Sequence, residues 1–478
     1  MSTIPQSRGL FIGGEWVPTP QTSAVIDQFR GEAVAHAPLG DRTHLELALG
    51  CARAAFQSTR RQEPHERVAI LRRVVGELER RRPEFIERIV AEAGKPVTLA
   101  EAEFSRALLT FTLAAEEARR PAGEVLPLDG VPGGHGHSGF TRRLPIGVVY
   151  GMTPFNFPLN LVAHKVAPAL ATGNTLVVKP APKTPLTALL LAEALQAAQV
   201  PAGQVNVVTC RNEEAGHLVG DPRVAMTSFT GSPSIGWGLK ERCGRQRILL
   251  ELGGNAPVLV HEDADLAAAV PAICHGAFAY AGQSCISVQR VLVHRPVLAS
   301  FRGLLLEHVR RHVVTGDPRD PRTIVGPMID DASLRRVLGW IQAAVDGGAS
   351  VLGGGKASGP CLLPTLLEGV QPTMEVCARE VFAPLLTLQA YDTFEQGLAM
   401  ANDTPFGLQA GVFTRDIGRA HQAFSEIEAG AILINNVPTF RVEGMPYGGT
   451  KQSGFGREGV RYAMEEMTEI RSLILKLN

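Results

Sequence analysis

Between residues 146 and 251 short apolar runs alternate with longer helical patterns, and this alternation constrains the fold more than any other feature of the chain. Ile146 to Met152, Thr175 to Val178, Val205 to Val208, Met226 to Phe229 and Ile248 to Glu251 read as buried strands. Leu161 to Ala171, Pro185 to Ala198, Glu213 to Val219 and Ser234 to Cys243 read as the helices between them. Strands joined by helical crossovers pair in parallel and are covered on both faces, which predicts a doubly wound α/β sheet. A second series follows, with Val258 to Val260 as a strand, Leu266 to Tyr280 as a helix and Val288 to Val293 as a strand.

Upstream, residues 43–118 read mostly as helices, with Val68, Leu71, Val74, Val75 and Leu78 at helical spacing. Arg80-Arg81-Arg82 is followed by Pro83, Glu84 and Glu87 and reads as a solvated helix face. The Gly- and Pro-rich stretch Gly123 to Gly139 reads as an exposed connection, and Asp317 to Pro321 as a loop. Ser472 to Leu477 reads as a terminal apolar strand, which needs a partner and could find it in another subunit.

With 47 basic and 47 acidic residues, no global field draws the chain to nucleic acid or to an anionic membrane. The seven cysteines are scattered and form no Cys-x-x-Cys pair, which argues against a zinc ribbon and fits a reduced, cytoplasmic setting. Met1 to Gln6 has neither a basic nor an apolar region of the kind a signal peptide needs. Apolar runs such as Ala267 to Ala281 contain Pro271 and His275 and are too short to span a bilayer. Length alone points to two or three domains.

Two residues carry the chemistry. Cys285, in the small-residue segment Gly282-Gln283-Ser284-Cys285, is placed like a nucleophile that forms a covalent intermediate. Glu251, at the end of the strand Ile248-Leu249-Leu250, is placed like a base whose pKa burial raises toward neutral. Either residue alone would pass for a structural one. Asn156 lies in Thr153-Pro154-Phe155-Asn156-Phe157-Pro158, stiffened by aromatics and prolines, and is a candidate oxyanion donor or else a turn asparagine. Phe229-Thr230-Gly231-Ser232 ends a strand and opens a helix, a place where backbone N–H groups can hold a pyrophosphate with Ser232 as cap, or simply an ordinary capped helix. Lys179 ends a strand, where it could bond ribose hydroxyls or sit on the surface. No Gly-x-Gly-x-x-Gly follows the first strand. Gly353-Gly354-Gly355-Lys356 lacks the hydroxyl residue and the first glycine of a P-loop, and Gly133-Gly134-His135-Gly136 lies outside any strand–helix junction.

Together, in order and spacing, these segments resemble the aldehyde dehydrogenase superfamily across nearly the whole chain. Further marks are Glu251-Leu252-Gly253-Gly254-Asn255, Glu380-Val381-Phe382-Ala383-Pro384, Pro405-Phe406-Gly407-Leu408 and Pro446-Tyr447-Gly448-Gly449-Thr450-Lys451-Gln452-Ser453-Gly454. The resemblance implies an α/β fold in which a Rossmann-like cofactor domain, lacking the glycine fingerprint, joins an αβ catalytic domain and a small β oligomerisation arm. Residues 1–119 and 142–253 would form the cofactor domain, 254–441 the catalytic domain, 120–141 and 459–478 the oligomerisation segments, and 442–458 a return to the cofactor domain. By resemblance Cys285 is the nucleophile of a thiohemiacetal and thioester, and Asn156 and the Cys285 N–H hold the oxyanion, each donor worth about 3 kcal/mol. Glu251 then activates the hydrolytic water. Thr153, Pro154, Phe155, Lys179, Pro182, Lys183, Thr230, Gly231, Ser232, Leu252, Glu380 and Phe382 would line the cofactor, with Glu380 on the nicotinamide ribose and Phe382 near its ring. The chemistry requires no metal.

Where NAD-selective relatives often carry a glutamate three residues after the lysine, this chain has Pro182, next to Lys183. NADP should therefore be accepted alongside NAD. The nearest subfamilies are those of lactaldehyde, glyceraldehyde-3-phosphate, succinate-semialdehyde and phosphonoacetaldehyde dehydrogenases. In these, basic residues near Arg106 and Arg441 can face the substrate tail, and a planar, always-charged guanidinium suits an anion. The competing reading is surface pairing, such as Arg441 with Glu443. The expected partner is a small, anionic or hydroxylated aldehyde, in a homodimer or homotetramer, with no nucleic acid and no membrane. A CoA-acylating enzyme and a non-catalytic family member are the alternatives. Glu251 favours hydrolysis, and the joint presence of Cys285, Glu251 and Asn156 favours catalysis.

Overall fold

Five parallel strands form the centre of the first sheet, in the spatial order Val205–Val207, Thr175–Lys179, Val148–Met152, Val224–Thr230 and Arg247–Glu251. The computed structural model describes residues 8–120 and 123–476. Met1 to Gln6 and Leu477 of the expected terminal strand lie outside them. Antiparallel strands flank the five: Leu10–Ile12 with Glu15–Val17 on one edge and Gly454–Phe455 on the other. The strand order reverses direction between Val148–Met152 and Val224–Thr230. A doubly wound sheet opens a crevice at such a reversal, beyond the carboxyl ends of its strands. The segments that leave there are Thr153 to Phe157 and Gly231-Ser232.

The second sheet runs Ser350–Gly353, Thr365–Glu368, Leu385–Tyr391, Val288–His294, Ala256–Val260, Gln409–Phe413 and Ala431–Ile434, parallel except at its first pair. Only Leu252 to Asn255 separate the end of Glu251's strand from the start of Ala256–Val260. The carboxyl end of the first sheet therefore meets the amino end of the second. Cys285 precedes Val288–His294 by two residues, and Glu380 to Phe382 precede Leu385–Tyr391, so both belong to that amino end.

Helices Arg42–Thr59, Pro64–Arg80, Arg82–Ala93 and Val97–Ala118 fill the predicted helical region. The helix Asn160–Thr172 is buried along its full length, which explains an apolar sequence with no polar stripe. Two helices are shorter than the pattern predicts. Leu266–Phe278 stops before Tyr280, which adopts a left-handed φ of 53°. The Glu213 to Val219 stretch splits at Gly216 into Asn212–Ala215 and a 3-10 turn.

The terminal strand Thr468–Lys476 finds its partner within the same chain, antiparallel to His137–Pro145 over nine residue pairs. The short strand Val125–Leu126 lies on the far edge of that pair. Arg81 is no solvated residue: its guanidinium reaches Glu193 at 3.1 Å and ties two helices together. Among the described residues no helix is long and apolar enough to cross a membrane.

Candidate active site

The turn that carries Cys285 is locally strained. Tyr280, Ala281 and Gly282 all have positive φ, at 53°, 53° and 63°. For a non-glycine residue this conformation costs on the order of 1–2 kcal/mol, so surrounding contacts must hold it. Gln283, fully buried, does so: its Oε1 accepts from the Ile329 N–H at 2.8 Å and its Nε2 donates to the Pro327 carbonyl at 3.3 Å. The Tyr280 hydroxyl donates to the Ala93 carbonyl at 3.2 Å. A side chain at Gly282 would meet the Ala383 carbonyl, and one at Gly254 would meet the carbonyl of Cys285 itself.

Cys285 and Glu251 open into one cavity of about 300 Å³, together with Asn156, Glu380, Phe382 and Tyr447. The Asn156 amide donates to the Gln283 carbonyl at 3.0 Å, which fixes its plane and leaves its second N–H free. Burial pushes the Cys285 thiol up to about 12; the Tyr447 hydroxyl, 3.1 Å from its sulfur, opposes the shift, and Glu380 and Glu251 add to it. Glu251 is buried with both carboxylate oxygens lacking a hydrogen-bond partner. Burial first and the Glu458 charge second hold its carboxyl well above the usual range. The thiol is thus protonated at neutral pH and shares its cavity with a carboxylate of unusually high basicity.

A second cavity of about 540 Å³ adjoins the first, and Pro154, Phe155, Thr230, Gly231 and Ser232 line both. Thr153, Lys179, Pro182 and Lys183 line the second. Leu252, Glu380 and Phe382 line the first. Every residue expected to touch a cofactor therefore faces one continuous cleft at the sheet reversal. Lys179 is buried rather than on the surface; its ammonium donates to Asn212 Oδ1 at 2.7 Å, and burial lowers its pKa to about 8. Glu380 accepts from the Gly254 N–H at 3.0 Å, and burial raises its carboxyl to about 7. Phe382, itself at φ 55°, meets Phe155 edge-on at 5.8 Å. A dinucleotide fits this cleft: Thr153 Oγ1 is buried without a partner, and Gly231 leaves the strand–helix junction bare of side chain. Two details differ from expectation. Ser232 occupies the N-cap position of Pro233–Arg242, but its hydroxyl makes no capping bond. Lys183 is ion-paired with Asp330.

Arg106 and Arg441 both line the first cavity and neither lines the second. The pairing of Arg441 with Glu443 exists at 4.0 Å, but it is buried, not superficial. Glu443 Oε1 accepts from Arg106 Nε at 2.6 Å, and its Oε2 lies 2.5 Å from His164 Nε2. Burial would raise the Glu443 carboxyl, yet His164, Arg106 and Arg441 outweigh it and hold it low. Arg441 also stacks 3.5 Å over the Tyr447 ring and lies 3.6 Å from Glu458. Lys165 donates to Ser228 Oγ at 2.9 Å, Thr230 Oγ1 at 3.0 Å and Glu458 Oε1 at 3.2 Å. Sequence reasoning missed His164, Lys165 and Glu458, named Glu443 only as a surface partner of Arg441 and named Tyr447 only as part of a motif. One signal was available: a His-Lys pair inside an otherwise apolar helix must find buried partners.

A sequence profile of the aldehyde dehydrogenase family matches residues 16–473. The 3-sulfolactaldehyde dehydrogenase of Priestia megaterium is 41% identical over 480 residues, covering 100% of both chains. Among solved structures, aldehyde dehydrogenase 21 from Physcomitrella patens in complex with the reaction product succinate superposes with a TM-score of 0.97 at 36% identity, covering 99% of each chain. Glyceraldehyde-3-phosphate dehydrogenase GapN from Methanocaldococcus jannaschii, complexed with NADP, superposes with a TM-score of 0.91 at 36% identity, covering 96% of this chain and 100% of that one.

Proposed function

The chain belongs to the aldehyde dehydrogenase family, and from that premise we propose that it oxidises a small aldehyde with an anionic tail, using NAD or NADP. The observation that carries the tail is the placement of two guanidiniums, Arg106 and Arg441, in the cavity that holds the Cys285 sulfur. Both lean on the carboxylate of Glu443, and Arg441 also lies 3.6 Å from Glu458, yet the Arg441 Nε is buried with no hydrogen-bond partner and is a donor left for a ligand. A sulfonate, a carboxylate and a phosphate are the tails of the three relatives' named compounds, and each accepts two parallel N–H bonds from arginine.

In this reading Glu251 takes the thiol proton, directly or through water, and the Cys285 sulfur bonds to the aldehyde carbon. The free Asn156 N–H and the Cys285 backbone N–H hold the resulting oxyanion. What a bound dinucleotide supplies is an acceptor for the hydride that leaves that carbon. The thioester that remains on Cys285 is hydrolysed by water that Glu251 deprotonates. A buried carboxylate without hydrogen-bond partners suits that step and favours water over CoA as the acyl acceptor. Lys179 would bond the adenosine ribose, and Glu380 the nicotinamide ribose. Pro182 places no carboxylate against a 2′-phosphate, which supports use of both cofactors.

Oligomerisation is supported by the outer edge of Thr468–Lys476, which pairs with no further strand among the described residues and where Ile470, Leu473, Ile474 and Leu475 are exposed. A homodimer or homotetramer would cover it. Seven free cysteines fit a cytoplasmic setting. The deciding experiment is a panel of aldehydes with sulfonate, carboxylate, phosphate and neutral tails, run with both cofactors and assayed for free acid against acyl-CoA. Preference for neutral aldehydes would refute the tail assignment. Turnover with NAD alone would refute the cofactor reading.

A further inference from the structure

A third cavity, of about 600 Å³, lies apart from the cleft and shares no residue with it. Seven arginines and three glutamates line it, which leaves an excess of four positive charges in a chain whose overall charge is zero. Two of the arginines are spoken for: Arg120 pairs with Glu117 at 3.3 Å and Arg461 with Glu465 at 3.2 Å. Arg143 donates to the Glu465 carbonyl at 3.0 Å and to Thr468 Oγ1 at 3.1 Å. The remaining four, Arg60, Arg61, Arg67 and Arg142, pair with no carboxylate among the described residues.

Arg67 is the informative member. Its Nε is buried and has no hydrogen-bond partner. Its terminal nitrogens pack on the Gly173 turn that ends the buried helix, where a Cβ would come within 2.9 Å of them. Burial lowers its pKa; the Glu63 charge opposes that shift, and the nearby Arg142 charge adds to it. Arg67 and the exposed Arg142 are left with an unfilled donor on the first and a repulsion between them, in a cavity whose lining holds seven arginines and three glutamates. An anion placed between them removes both costs, and a phosphate matches the fork of each guanidinium.

We propose that this cavity binds a small anion carrying two or more charges, of the sugar-phosphate or nucleotide class, at a site separate from the aldehyde and dinucleotide cavities. Arg67 grips it at the base, and the exposed Arg60, Arg61 and Arg142 close over it from the rim. The site stands at the far end of the helix whose buried His164 meets Glu443. At 1.5 Å per residue, Thr172 lies roughly 12 Å along the axis from His164.

The probe is inorganic pyrophosphate, titrated calorimetrically into the intact enzyme saturated with NADP, so that the dinucleotide cavity is filled. Wild type is compared with Arg61→Ala/Arg142→Ala and with the charge-conserving Arg61→Lys/Arg142→Lys. None of these positions touches the aldehyde or the cofactor, so aldehyde turnover without pyrophosphate should be unchanged. The expected result is an uptake event that is weakened at least about tenfold in the alanine pair, partly retained in the lysine pair, lost at high salt and not mimicked by acetate. Identical isotherms for wild type and the alanine pair would overturn the proposal. So would dissociation of the alanine pair into smaller assemblies, which would make these arginines contacts between copies of the chain.

Discussion

The Tyr447 hydroxyl lies 3.1 Å from the Cys285 sulfur, while the Arg441 guanidinium stacks 3.5 Å from the centre of the same ring. One aromatic side chain thus links the Cys285 sulfur to the Arg441 guanidinium. If Arg441 receives the tail of the substrate, Arg441→Ala should raise KM for anionic aldehydes by ~10–100-fold, the equivalent of one or two hydrogen bonds to a charged group. KM for propanal should change far less. Steady-state kinetics with both aldehydes decide the matter, and equal effects would remove Arg441 from substrate recognition.

A thiol held up near 12 is mostly protonated at neutral pH, so its reactive fraction grows about tenfold for each pH unit below that value. Alkylation of Cys285 in the free enzyme should therefore accelerate between pH 7 and pH 10 without reaching a plateau. Tyr447→Phe removes a hydrogen bond that lowers the thiol pKa and should slow the reaction at fixed pH. Mass spectrometry of the labelled peptide reads both effects. A plateau below pH 8 would show that the thiolate is stabilised in some other way.

Glu251 must be deprotonated to act as a base, and its carboxyl is held above the ordinary value of 4.5 by burial. The deprotonated fraction then grows as pH rises, and kcat should climb along an acid limb displaced upward from that value. In Glu251→Gln the limb should vanish and kcat should stay low throughout. Asn156→Ala, by contrast, should keep the limb and lose ~100–1,000-fold in kcat, as removal of one oxyanion donor does elsewhere.

In its proposed role on the adenosine ribose Lys179 would bind best as an ammonium, and burial lowers its pKa to about 8. Its charge is present below that pH and is lost above it. The dissociation constant for NAD or NADP should rise as pH passes through 8, and Lys179→Met should abolish that rise. Fluorescence titration of the cofactor at several pH values measures it. A pH-independent constant in the wild type would separate Lys179 from cofactor binding.

Gly254→Ala tests the backbone of the site. A methyl group there collides with the Cys285 carbonyl, so the nucleophile's turn must move. The expected outcome is a loss of turnover larger than any loss of thermal stability, because a displacement on the order of 1 Å at a reacting group can cost ~100-fold.

Much of the architecture was legible because it rests on local signals. Apolar runs of strand length, separated by helical periods, mark a parallel sheet whatever surrounds them, and Thr153 to Pro158 had to leave its first strand. Cys285, Glu251 and Asn156 were legible only as an ordered set of motifs. The failures were tertiary. Nothing near Thr468 says that its strand pairs with His137–Pro145, more than 300 residues earlier. Nothing near Glu443 says that it is shared by Arg106 and Arg441, because the three side chains meet from separate elements. Helix ends failed for a related reason: contacts from Gln283 and Ala93 impose left-handed backbone on Tyr280 and Ala281, against their own preference.

That same turn has a consequence for how the molecule ages. A conformation imposed from outside lasts only while its clamps do, and these are the hydrogen bonds of Gln283 and Ala93 together with the packing that buries Tyr280 and Ala281. Warming should release the bend while both sheets are still intact, so that aim fails ahead of architecture. Turnover would then decay at temperatures where circular dichroism still reports an unchanged fold.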